Sequence, residues 1–280
     1  MPYVKVGQEN SAATKLYYED HGSGPPVVLI HGYPLSCRAW DKQLPALLDR
    51  GYRVVAYDRR GFGKSDQPAS GYDYDTFAVD LESLLNELDL CDATLVGHSM
   101  GTGEVTRYLG NFGSKRVAKG VLISPIPPFL LQTDDNPEGV PQSVFDGFVQ
   151  AANQDTPAWM KGFLDNFYNA DKLLGTLVSD QAYQTSWNIA VTASAIGAVK
   201  CIPTWGTDFR GDLEKVDVPI LVIQGNQDRV LPFDKTGARL KTMPNVTLTV
   251  IEGGPHAIPW THADQVNAAL LNFIPALATV

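Results

Sequence analysis

A short apolar run, Thr94-Leu95-Val96, passes without a spacer into Gly97-His98-Ser99-Met100-Gly101 and then into a helical pattern over 103–109. A strand that turns directly into a helix through G-x-S-x-G leaves few folds open. The sharp turn strains the serine backbone, and glycine on either side lets strand and helix pack closely around it. The hydroxyl then points into a cleft above the sheet, where the N-terminal amides of the helix also aim. As a bare motif the triplet is weak, because glycine and serine are abundant. Its placement between strand and helix carries the inference.

The rest of the chain repeats the alternation. Strand signals occur at 16–19, 27–30, 54–57, 117–123, 218–224 and 246–251. Helical spacing occurs at 38–48, 76–88 and about 262–273. Strands separated by helices of this length predict a mostly parallel central sheet flanked by helices. The alternation stops near Ser124. Residues 125–212 are rich in aromatics and short helical segments, with no clear strand. The expected fold is therefore α/β. Residues 1–124 and 213–280 form its core, and residues 125–212 form a helical cap inserted into it. A chain of 280 residues is long enough for one such domain with a well-buried core.

A serine made nucleophilic needs a base within reach and a group to orient that base. Of five histidines, His256 follows the strand at 246–251 through Glu252-Gly253-Gly254-Pro255, which places it at the carboxyl edge of the sheet. His98 adjoins the serine but points away from it in this turn geometry, and packs beneath the site. His262 reads as a surface residue near a helix start. Asp228 follows the strand at 218–224 through Gly225-Asn226-Gln227, again at the carboxyl edge. The order Ser99, Asp228, His256 is the one this arrangement requires. Asp234 is the remaining rival for the acid.

The loop after 27–30 reads His31-Gly32-Tyr33-Pro34. Glycine there allows close backbone approach, so the amide of Tyr33 is expected to join that of Met100 in an oxyanion hole. Pro34 has no N–H to donate but shapes the loop. The run Asp58-Arg59-Arg60-Gly61-Phe62-Gly63-Lys64-Ser65 lacks phosphate-loop spacing and reads as a tight turn with buried charge pairs. In the cap, Trp159, Phe163, Trp187 and Trp205 are expected to line an apolar pocket together with Pro34. The helical spacing of the aromatics is equally compatible with plain core.

A formal net charge of -9 disfavours nucleic acid and anionic membranes as partners. No apolar run approaches the roughly 18 residues needed to span a bilayer, and the N-terminus has no signal-peptide core. Three cysteines, Cys37, Cys91 and Cys201, show neither disulfide nor metal-site spacing. A cytoplasmic protein with no metal and no cofactor, acting on a small molecule, is expected.

Several segments together resemble the cofactor-free bacterial haloperoxidases (perhydrolases) of the α/β-hydrolase superfamily. They are Ile30-His31-Gly32-Tyr33-Pro34-Leu35-Ser36, Tyr57-Asp58-Arg59-Arg60-Gly61-Phe62-Gly63-Lys64-Ser65, Gly71-Tyr72-Asp73-Tyr74-Asp75-Thr76-Phe77 and the stretch from Val96 to Val105. Pro127-Pro128-Phe129-Leu130, Asp208-Phe209-Arg210 and Gly253-Gly254-Pro255-His256 extend the match over nearly the whole chain. Gly101-Thr102-Gly103 and Thr133-Asp134-Asp135-Asn136-Pro137 also resemble the γ-lactam hydrolases of that group. The resemblance implies hydrolysis of esters, in some members of lactams, and formation of peracids from carboxylic acids and hydrogen peroxide. It implies that Pro34 favours peroxide chemistry, and it suggests dimers or larger assemblies. One departure is His98, where many haloperoxidases carry Phe.

The expected chemistry is acyl transfer through Ser99. A lyase acting on a cyanohydrin and a non-catalytic small-molecule receptor remain as other uses of the same triad. Dehalogenase and epoxide-hydrolase chemistry would need a carboxylate where Ser99 stands.

Overall fold

The apolar runs are the strands of one sheet. A computed structural model describes residues 2–274. Residues 275–280, the end of the expected core segment, lie outside the described residues, as does Met1. The strands are β1 (Tyr3–Glu9), β2 (Ala12–His21), β3 (Pro26–Ile30), β4 (Arg53–Tyr57), β5 (Ala93–His98), β6 (Val117–Ile123), β7 (Ile220–Gly225) and β8 (Val246–Ile251). They form one eight-stranded sheet in the order β1-β2-β4-β3-β5-β6-β7-β8. The pairs β1–β2 and β2–β4 are antiparallel, and every pair from β4–β3 to β7–β8 is parallel. The central strands are covered on both faces, so β5 and β7 are buried along their whole length.

Between β3 and β4 lies α1 (Leu44–Leu48). The continuous helix expected over 38–48 is broken: a short 3₁₀ turn spans Cys37–Trp40, and α1 starts only with Pro45 at its first turn. Proline suits a helix start and disfavours helical backbone just before it, which accounts for the break. Two long helices follow, α2 (Tyr74–Glu87), capped by the Asp73 side chain, and α3 (Met100–Phe112). β1 gave no strand signal because only Val4 of its seven residues is buried.

After β6 the chain leaves the sheet and returns at β7. Between them lie α4 (Gln142–Gln154), α5 (Thr156–Tyr168), α6 (Ala170–Leu173), α7 (Asp180–Ala190), α8 (Ala195–Thr204) and α9 (Arg210–Leu213). Their apolar faces join Tyr33, Leu35, Phe62 and Met100 of the sheet region in one buried cluster. The layer is therefore continuous with the core beneath it. The last helices are α10 (Gly237–Leu240), α11 (Ile258–Thr261) and α12 (Ala263–Phe273). None of the helices is long and apolar enough to cross a membrane among the described residues.

Turn 58–65 is held by buried polar contacts. Asp58 accepts from the amides of Cys37 (2.7 Å) and Lys64 (2.8 Å). Arg60 pairs with Asp80 through two 2.6 Å bonds. Arg59 donates to Glu104 at 2.8 Å and to the His31 carbonyl at 3.0 Å, and the Tyr57 hydroxyl also donates to Glu104. These contacts fix the loop that carries His31 and Tyr33.

Candidate active site

Ser99 joins β5 to α3 with φ 54° and ψ −120°, a backbone conformation that L residues rarely adopt. Such strain persists only where the surroundings enforce it. Here the Ser99 amide is held by the Ile123 carbonyl at 2.9 Å. The Ser99 carbonyl accepts from the amide and the hydroxyl of Thr102, at 2.9 and 2.5 Å. Glycine is required on both sides. A Cβ on Gly97 would strike the Gly101 carbonyl oxygen, and one on Gly101 would strike that of Ile30.

His256 and Asp228 come together on the loops after β8 and β7. Nδ1 of His256 lies 2.8 Å from Oδ2 of Asp228, and both side chains are fully buried. The other carboxylate oxygen accepts from the amides of Val230 (2.9 Å) and Leu231 (2.8 Å). An acceptor on Nδ1 places the imidazole proton there and leaves Nε2 as the basic atom. Nε2 is buried and has no hydrogen-bond partner among the described residues. Asp234, the rival acid, is exposed on a 3₁₀ turn at Phe233–Lys235.

The two halves of the site are pinned together. His98 Nε2 lies 3.0 Å from the His256 carbonyl, and the Ser124 hydroxyl donates to the same oxygen at 3.4 Å. The His98 ring lies beneath that of His256, 5.0 Å between centroids. Burial, followed by the neighbouring His256, pushes the His98 pKa down to about 3. His98 is therefore neutral and serves as a donor. The Phe167 ring meets the His256 ring edge to face at 5.2 Å.

The loop after β3 comes up against the serine. A Cβ on Gly32 would lie 2.8 Å from that of Ser99. The amides of Tyr33 and Met100 donate to no described residue. A free amide is the ordinary state of a helix N-terminus such as Met100, but not of a buried loop residue such as Tyr33. His31 orders this loop. Its Nε2 accepts from the Arg59 amide at 3.0 Å, and its Nδ1 donates to the Gly32 carbonyl at 2.9 Å. Burial, with the Arg59 charge added, holds its pKa well below the usual histidine range.

Above Ser99 is a cavity of about 740 Å³. Tyr33, Phe145, Phe148, Trp159, Phe163 and Trp205 make most of its aromatic wall. Trp187 and Pro34 were expected there and do not line it. Trp187 sits on α7 and packs against the outside of the aromatic cluster. Pro34 is buried within the loop and follows Tyr33 through a cis peptide bond. The segment 229–232, just after the acid, lines the cavity without having given any sequence signal. It has no periodicity and owes its place to Asp228, which binds two of its amides. Phe167 and Ser124 were also missed. A helical aromatic stripe does not say which ring faces the base, and nothing marks Ser124 beyond its place after β6.

A family model described as "alpha/beta hydrolase fold" matches residues 25–263. The chain is 61% identical to a protein of Synechocystis sp. named "Putative non-heme chloroperoxidase", over 98% of this chain and 100% of the relative. It is 35% identical to the "Bifunctional esterase/perhydrolase DCH" of Acinetobacter calcoaceticus, over 92% of this chain and 95% of that one. The crystal structure of a bromoperoxidase from Bacillus anthracis superposes with a TM-score of 0.93 at 45% identity, covering 98% of this chain and 99% of that one. Fold, sheet order and sequence agree that the chain belongs to the α/β-hydrolase family, among relatives named as non-heme haloperoxidases and perhydrolases.

Proposed function

We propose that the protein is a serine hydrolase that transfers acyl groups from small esters to water or to hydrogen peroxide. One observation carries this reading. A buried Asp228–His256 pair leaves Nε2, on a loop pinned to the residue before a strained Ser99, without a partner among the described residues, and the amides of Tyr33 and Met100 are likewise without one. Ser99 Oγ attacks the ester carbonyl as His256 Nε2 takes its proton. The amides of Tyr33 and Met100 receive the oxyanion, and one such donor is worth about 3–4 kcal/mol in comparable sites. The alcohol leaves with the proton from Nε2. Water or hydrogen peroxide then gives its proton to Nε2 and attacks the acyl carbon. Ser99 Oγ then leaves, taking that proton back from Nε2, as a carboxylic acid or a peracid forms. The aromatic cavity excludes bulk water and receives the apolar parts of the substrate.

The relatives named as haloperoxidases and as an esterase/perhydrolase support peroxide as an acceptor. The free thiols Cys37, Cys91 and Cys201 support a reducing, cytoplasmic setting. A homo-oligomer is proposed on the family resemblance, and light scattering in solution measures it. The central test is covalent labelling by a fluorophosphonate together with turnover of p-nitrophenyl acetate. Both are expected in the parent and absent from Ser99→Ala. Peracetic acid formation from acetate and peroxide tests the second acceptor. A labelled enzyme that makes no peracid would restrict the reading to hydrolysis.

A further inference from the structure

The Tyr33 hydroxyl is bonded to the helical layer rather than to Ser99 or His256. Its hydroxyl accepts from the Trp159 indole N–H at 3.0 Å and donates to the Ala198 carbonyl at 2.9 Å. Trp159 lies on α5 and Ala198 on α8. One phenol thus ties the loop beside Ser99 to two separate helices of the layer above it. Burial raises the Tyr33 pKa, so the phenol keeps the proton that this chain of bonds needs.

A buried phenol requires a partner, and one would suffice. This one commits its proton to one helix and a lone pair to another. The ring does not need the hydroxyl to stay in place. It meets Phe163 at 5.3 Å, Trp205 at 5.1 Å and Phe62 at 6.0 Å, all edge to face. Trp159 and Tyr33 both line the cavity. An acyl group seated there would lie against the same wall as the indole that bonds the phenol.

We infer that the Tyr33 hydroxyl is a positioning group that sets its own backbone amide against the oxyanion according to how α5 and α8 are seated. The inference rests on the acyl-transfer reading and adds to it. Rate falls steeply when an oxyanion donor is misplaced, since a displacement near 1 Å can cost about a hundredfold. Loss of two tethers with the ring still packed is a smaller error. It is expected to cost about tenfold in kcat.

The test uses the full chain carrying Tyr33→Phe, Trp159→Phe or both, with p-nitrophenyl esters and fluorophosphonate. In Tyr33→Phe, kcat and the rate of phosphonylation are expected to fall together by about tenfold, with KM within about twofold. Trp159→Phe is expected to lower kcat in the same way, and the double variant to be no slower than the worse single one. A KM that rises at constant kcat would mean that the phenol only lines the cavity, and would overturn the inference. So would an unchanged kcat, or effects that multiply in the double variant. If Tyr33→Phe does not fold, Trp159→Phe decides alone: lower kcat at constant KM supports the inference and unchanged kcat overturns it. A parent enzyme that fluorophosphonate does not label would sink the acyl-transfer reading itself. A labelled parent with a fully active Tyr33→Phe variant would sink only the positioning role.

Discussion

His256 Nδ1 and Asp228 Oδ2 are 2.8 Å apart, with both side chains sealed from solvent and the second Asp228 oxygen held by two backbone amides. The carboxylate therefore has one fixed orientation, and through it the imidazole has one tautomer. Asp228→Asn keeps the shape and turns an acceptor into a donor. It is expected to lower esterase kcat by about 10⁴-fold. KM should change by less than about threefold, because the cavity wall is untouched. Steady-state kinetics on p-nitrophenyl acetate decides it, and a variant within tenfold of the parent would show that Asp228 is not the orienting acid.

His98 links stability to pH. Its pKa in the folded protein is about 3, against ~6.5 for an unfolded histidine. Between those values the unfolded chain binds more protons than the folded one, so stability falls as pH drops through that window. His31, also held low by burial and Arg59, acts in the same direction. The urea midpoint should decline from pH 7 to pH 4, and His98→Phe should decline less steeply. Equal slopes for the two proteins would count against a neutral, buried His98.

Pro34 is proposed to bear on the choice of acyl acceptor. It is buried next to Tyr33 and does not line the cavity. Its influence must therefore pass through the position of the loop backbone rather than through contact with substrate. Pro34→Leu is expected to lower the ratio of peracid formation to ester hydrolysis by about tenfold, which corresponds to about 1.4 kcal/mol between the two transition states. Parallel assays on one preparation measure the ratio directly, and no change would refute the role.

Gly101 is a steric necessity. A methyl group there would fall on the Ile30 carbonyl oxygen, inside the strand–helix contact that holds Ser99 in its strained conformation. Gly101→Ala is expected to cost about 3 kcal/mol or more of stability, because the clash is with backbone and no side chain can yield. Denaturant unfolding of the soluble fraction measures this. Parent-like stability would mean that strand and helix can part without penalty.

What could be read from the sequence follows from how local each signal is. The turn at Ser99 is contiguous, so strand, glycines and helix are all visible in one stretch. Asp228 follows the buried strand β7 and His256 follows β8, of which only Ile251 is buried, each by a few residues, and their position at the carboxyl edge of the sheet comes with the strand. The aromatic wall is different. Trp159 and Trp187 both sit on amphipathic helices, yet one faces the cavity and the other lies outside it. That outcome depends on how helices pack against one another, which a single helix does not encode. β1 escaped notice for the opposite reason: an edge strand half open to solvent needs little apolar patterning. The bond from Trp159 to Tyr33 joins residues 126 positions apart and leaves no trace in either neighbourhood.

The chain departs from β6 and comes back in β7, and these two strands are direct neighbours, with Ile123 opposite Ile223 and the Ser124 amide on the Ile223 carbonyl at 2.8 Å. The two strands are parallel, so the chain enters β7 at Ile220, at the other end from Ser124; the two ends of the segment that carries α4 to α8 are instead joined by the Phe209 amide on the Pro128 carbonyl at 3.0 Å. A segment whose two ends nearly touch can be exchanged for another of different length without disturbing the sheet beneath. Ser99 comes before that junction in the chain, and Asp228 and His256 come after it. Descent can therefore graft new roofs onto one reaction centre, and substrate range can drift while the chemistry stays put. The limit on such grafting is set at Tyr33: a replacement roof has to leave its buried phenol at least one hydrogen-bond partner.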